Sequence, residues 1–163
     1  MSRATARQAI VDWFTTPPIN GVTATFRSFP KMIDGGSFMT AGASSGAVLI
    51  PEFVSEQETR VAFGGALAGM KRIDYQTTLG LYFKSYEPDP VVAMDVFDAT
   101  IELVKGRIRF LGRTLGTSGY NAGVFQFGEG TGTTVRYNPP ALLSQTTEMY
   151  AALSAVLTEF IVA

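Results

Sequence analysis

The residues with chemistry to offer are few, and the missing types narrow the field first. The 163-residue chain has no Cys and no His. Disulfides, thiolate or imidazole metal ligands, Ser-His-Asp and Cys-His nucleophiles and imidazole acid–base work are therefore excluded. Carboxylates remain. Asp95, Asp98 and Glu102 recur at helical spacing and could bind a hard cation or flank a sugar; a solvated helix face explains the same residues. Gly128-Glu129-Gly130-Thr131-Gly132 has the glycine content of a phosphate cradle, but it lacks the Lys and Ser/Thr of a P-loop and no helix start follows it. Serines lie in several loops with no base to activate them. Trp13, Tyr75, Tyr82 and Tyr86 could serve a small carbohydrate- or ligand-binding module, although packing accounts for most of them. The expectation is a protein without catalytic, cofactor-binding or metal residues.

The elements that position these residues are clearer than the residues themselves. From Asp89 to Gly112 the apolar residues Pro90, Ala93, Met94, Phe97, Ile101, Val104, Ile108 and Leu111 keep a helical period. Asp95, Asp98, Glu102, Lys105 and Arg109 take the other side. Asp89 sits at an N-cap, Pro90 at the first helical position and Gly112 after the last apolar residue. Such a helix of about 22 residues is roughly 33 Å long, and its stripe needs a broad sheet. Lys71–Tyr86 supplies one strand: Ile73, Tyr75, Thr77, Leu79, Leu81 and Phe83 alternate with Arg72, Asp74, Gln76, Thr78, Gly80, Tyr82 and Lys84. A bulge or bend is expected at Gly80, and one polar face implies helices on one side only.

Elsewhere, Ser2–Thr16 reads as a first helix, with Ala6, Ala9, Ile10, Trp13 and Phe14 on one face and Pro17-Pro18 as its stop. Val22–Phe29 alternates like a strand. Ala47–Ile50 is a short apolar run stopped by Pro51, and Glu56–Phe63 alternates weakly. Val124–Phe127 reads as a short strand, with Thr133–Tyr137 returning on it as a hairpin. Between Leu142 and Val162 the residues allow a helix over 148–159, but the closing Val156–Val162 favours a strand. The expected fold is α+β: one domain over 1–163, with a mixed, mostly antiparallel β-sheet and two α-helices (about 2–16 and 90–111) packed on one face.

Composition bears on partners. Hydrophobic residues make up 46% and charged residues 17%, against about 25% charged in an average domain. So few charges leave a surface that partner subunits can cover. The 13 basic and 14 acidic residues give a net charge of −1 and form no patch for gripping phosphates. No signal peptide and no apolar run of roughly 20 residues is present, so synthesis in the cytoplasm and no membrane contact are expected. Residues 31–46 form a long glycine-rich loop containing Met32, Phe38 and Met39. Loops of that length are usually functional, and those three side chains are the candidates for a subunit interface.

The order of elements carries a resemblance. An N-terminal helix through Arg7–Phe14, a strand, a loop, an amphipathic strand running into a Pro-started long helix, then Val124-Phe125-Gln126-Phe127-Gly128-Glu129 and a closing strand resemble the tail terminator, or tail-completion, proteins of long non-contractile-tailed bacteriophages of the lambda type. The resemblance spans nearly the whole chain, with the 31–46 and 113–123 segments longer than the minimal pattern. It implies a structural virion protein at the head–tail junction, made in the host cytoplasm, that caps the tail tube and stops its polymerisation. It also implies a hexameric ring touching tail tube protein and neck (head-completion) protein, with DNA passing through its channel unbound. A neck or other minor tail protein is the nearest alternative, and a small ligand-binding module the alternative of another class.

Overall fold

The computed structural model describes residues 3–30, 42–63, 69–109, 124–127, 132–139, 141–143 and 146–162. Among the described residues two helices, α1 (Arg3–Thr15) and α2 (Pro90–Arg109), accompany seven strands. These are β1 (Val22–Thr25), β2 (Ser45–Phe63), β3 (Gly69–Ser85), β4 (Val124–Phe127), β5 (Thr134–Tyr137), β6 (Ala141–Leu143) and β7 (Thr146–Val162). They form one sheet in the order β1-β2-β3-β7, with β4, β5 and β6 following one another along the far edge of β7. All pairings are antiparallel except β1 with β2. The chain is thus α+β with a mixed, mostly antiparallel sheet.

Both helices pack on one sheet face. Ala6, Ala9, Ile10 and Phe14 of α1 and Ala93, Phe97, Ile101, Val104 and Ile108 of α2 share a core with alternate residues of β2, β3 and β7. The core face of β3 is the one the alternation marks: Ile73, Tyr75, Thr77, Leu79, Leu81 and Phe83 are all buried. The Phe83 and Phe97 rings meet at 5.4 Å and tie α2 to the sheet. Asp89 caps α2, its Oδ1 accepting from the Val91 amide at 2.9 Å. Arg107 and Arg109 occupy its last turn, where cations complement the helix dipole. The cap at Ser2 and the stop at Leu111 and Gly112 lie outside the described residues.

Several local expectations are corrected. Pro51 does not end a strand: β2 runs through it, with Pro51 opposite Leu79. The Ala47 amide donates to Gly21 and the Leu49 carbonyl accepts from Phe26, so odd-numbered residues here turn their polar groups to the outer edge. Pro51 shares that parity beyond the end of β1, where its missing N–H costs no ladder bond. The strand from Val22 stops at Thr25 instead of Phe29. Gly80 makes no bulge, and its pairing stays in register on both sides; the irregularities of the β2–β3 ladder fall in β2, between Phe53 and Ser55 and between Arg60 and Ala62. A Cβ at Gly80 would lie 3.1 Å from the Tyr82 ring, so the glycine makes room for aromatics. β5 pairs with β7, not with β4. Residues 146–162 are a strand throughout, central in the sheet, where their small and branched side chains pack well.

The second sheet face is not plainly polar. Val48 and Ile50 are buried there, and the Tyr82 ring packs between Tyr150, tilted at 4.7 Å, and Phe29, edge-on at 5.5 Å.

Candidate functional site

The structure keeps the chemistry-bearing residues apart. Asp95 and Asp98 are exposed on α2. Glu102 is ion-paired to Lys105, one turn along the helix, and to Arg109 at 3.8 Å. The Lys105 ammonium holds the Glu102 carboxyl below its ordinary range. Among the described residues no group of three or more acidic side chains could hold a metal ion.

The four aromatics do not converge either. Tyr75 is buried on the helix side, where its hydroxyl donates to Glu159 at 3.0 Å. Burial first, then the Glu159 carboxylate, push its pKa far up. Tyr82 lies on the opposite sheet face, and burial and Tyr150 push it up to about 12. Tyr86 is exposed near the end of β3 with the Lys84 ammonium 5.7 Å from its ring centre. Trp13 sits on α1 beneath the Arg107 guanidinium, 5.8 Å away. Met32, Phe38 and Met39, the interface candidates, lie outside the described residues, as do 113–123 and Gly128 to Thr131.

A different surface emerges around α2. The chain leaves α1, turns at Asn20-Gly21 and runs alongside the helix before entering β1. Gly21 makes this approach possible. Its φ of +82° suits glycine, and a Cβ there would lie 2.9 Å from the Thr100 hydroxyl. Arg107 closes the other end by donating to the Pro17 carbonyl at 2.8 Å. Between helix and connection lie two hollows that meet at Pro18, Ile19, Asn20 and Leu103. One, of about 560 Å³, reaches to Trp13, Gly106 and Arg107. The other, of about 690 Å³, reaches to Val96, Ala99, Thr23 and Ala43.

Leu103 stands between them, 47% exposed. With it, Val91, Val92, Met94 and Val96 leave much of the outer side of α2 apolar and open to solvent. Met94, expected in the core stripe, is therefore on the outside. The helical period finds the inner stripe but passes over this outer one, because Asp95, Asp98 and Glu102 interleave with it. Its signal was nonetheless present in the spacing of Val92, Val96, Ala99, Leu103 and Gly106, which alternates steps of four and three.

Chemically, such a surface offers shape and apolar area, with separated charges at its margins. Among the described residues, no helix is long and apolar enough to cross a membrane. No protein-family model matches this chain, and no curated protein matches it.

Proposed function

We propose that this chain is a structural virion protein that caps the phage tail tube, stops its polymerisation and forms the ring joining tail to head. The observation that carries the proposal is the outer side of α2, a capped helix on which Val91, Val92, Met94, Val96 and Leu103 are exposed. Exposed large apolar side chains on a helix of a folded domain are characteristic of a surface that another protein covers. The element order that resembles the tail terminators supports the same conclusion. Ring closure requires heterologous contacts, one patch of each protomer on a different patch of the next, with Met32, Phe38 and Met39 of the 31–46 loop as candidates. The net charge of −1 suits a channel that DNA must traverse without being gripped.

Electron microscopy of particles made without the protein tests this. Overlong tails support a terminator. Headless tails of normal length support the neck or minor-tail alternative instead, and unchanged particles contradict both. A small ligand-binding module is the reading of another class, and one observation favours it. The Trp13 indole N–H, beside the smaller hollow, has no hydrogen-bond acceptor among the described residues. Trp13 is the chain's single tryptophan, so its fluorescence would report a ligand there directly.

A further inference from the structure

β2 runs for 19 residues and β1 beside it for 4. β1 pairs with β2 over 47–49, and among the described residues no strand pairs with the outer edge of β2 beyond that point. Residues 54–60 are all exposed. Up to Phe53 the odd-numbered residues turn their backbone groups away from β3, and the Phe53 carbonyl accepts from the Arg3 guanidinium on that side at 3.4 Å. The extra residue between Phe53 and Ser55 switches the parity. Glu56, Glu58 and Arg60 therefore present their N–H and C=O groups to the open side, in a run that stays regular as far as Arg60. An unpaired edge of this kind is a template for one more strand.

The charges say which strand. Glu56, Glu58 and Arg60 lie directly opposite Tyr75, Ile73 and Lys71, so their side chains share the helix side of the sheet. A row of one sign would repel any incoming strand; this row carries both signs and selects its partner. When two copies of the segment pair antiparallel, backbone parity places the two-fold axis on a residue and not between residues. An axis at Gln57 sets Glu56 against Glu58 of the other copy, twice. An axis at Thr59 sets Glu56 against Ala62, past the irregularity that follows Arg60. An axis at Glu58 sets Glu56 against Arg60 of the other copy, twice, and Gln57 against Thr59. The two Glu58 carboxylates then meet at the axis, each held by the Lys71 ammonium of its own chain at 2.8 Å. In that register the outward-turned residues all face one another and exchange about six backbone hydrogen bonds.

We propose that the outer edge of β2 at 56–60 is a strand-pairing surface, on which the same segment of a second copy of this chain lies antiparallel about Glu58 and continues the sheet across both copies. The contact is isologous and closes at two copies. It is therefore separate from the head-to-tail contacts of a ring and does not rest on the virion reading.

Sedimentation equilibrium and amide hydrogen exchange of the full chain test it, with the variants Glu56→Arg, Arg60→Glu and Glu58→Pro. Circular dichroism checks that each variant is folded; proline suits position 58 because the N–H it removes points away from β3. The wild-type chain is expected to form a two-copy species that weakens with added salt. As its concentration rises, the amides of Glu56, Glu58 and Arg60 should exchange at least about tenfold more slowly, while those of Gln57 and Thr59, turned toward β3, stay as they are. Each charge variant alone should lose at least about tenfold in affinity. An equimolar mixture of the two should recover it, because each strand then meets one of opposite sign. Glu58→Pro should abolish the species, and should it fail to fold, the loss and recovery of the charge variants still decide. The inference is overturned if the wild-type chain stays monomeric to about 500 µM, or if its association ignores all three changes. A six-copy ring indifferent to them also overturns it, and leaves the virion reading to be judged by tail length.

Discussion

Ile101 and Leu103 lie two residues apart on α2 and live in opposite surroundings. Ile101 is 1% exposed, packed with Phe97 and Val104 in the core shared by helices and sheet; Leu103 is 47% exposed at the junction of two hollows. Both stripes are apolar and both repeat at helical spacing. The sheet of this chain supplies the cover for one, and nothing among the described residues covers the other. Exposed apolar side chains gathered on one helix mark a surface that a partner can cover. The inner stripe explains how the domain folds, and the outer stripe is the surface on which the proposed function rests.

Substitutions should separate the two sharply. Ile101→Ala is expected to destabilise the fold by about 2–5 kcal/mol, the cost of emptying a well-packed site, read from denaturant midpoints at unchanged slope. Leu103→Ala is the matched control; equal costs for the two would erase the distinction.

Beneath the inner stripe, Tyr75→Phe should cost about 1–3 kcal/mol, because it removes the hydroxyl that donates to the buried Glu159 carboxylate. Thermal unfolding would show it. Where the stripes adjoin, Gly21→Ala should cost on the order of 1–3 kcal/mol, since it strains a φ of +82° and crowds the Thr100 hydroxyl. The same change should shift Trp13 emission, as the connection that walls the hollows is pushed off α2.

On the far sheet face, the Tyr82 pKa raised to about 12 gives a pH-dependent reference remote from both stripes. A pKa higher in the folded state than the ordinary value of about 10 means that the stabilisation is complete below about pH 10 and is lost as pH rises toward 12. Spectrophotometric titration of the tyrosines should show a component near pH 12 that Tyr82→Phe removes, leaving the still later titration of Tyr75. The smallest effect is that of Leu103→Ala on the monomer, within about 0.5 kcal/mol, with any change confined to association.

What the sequence revealed follows from how local each signal is. The inner stripe of α2 and the core face of β3 were legible because period and alternation are properties of consecutive residues. The tail 146–162 was ambiguous because its alanines and leucines suit a helix as well as a strand, and its β character comes from lying between β3 and β4, β5 and β6. Pro51 looked like a stop because the parity that turns its nitrogen to an open edge depends on where β1 ends. β5 looked like the return strand of β4 because proximity in sequence suggested a hairpin, whereas its register is with β7. The hollows were invisible for the same reason. They join Pro17 and Arg107, 90 residues apart in sequence, and no window of neighbouring residues contains both. Asp95, Asp98 and Glu102 drew attention as chemistry, yet they frame a surface.

The most direct measurement is tube growth itself. Tail tube protein polymerising in the presence of this purified chain, followed by electron microscopy of tube length, should stop growing once tube ends are occupied, and the chain should be found at those ends. Tubes that continue to lengthen at the same rate, with their ends bare, would contradict a capping role.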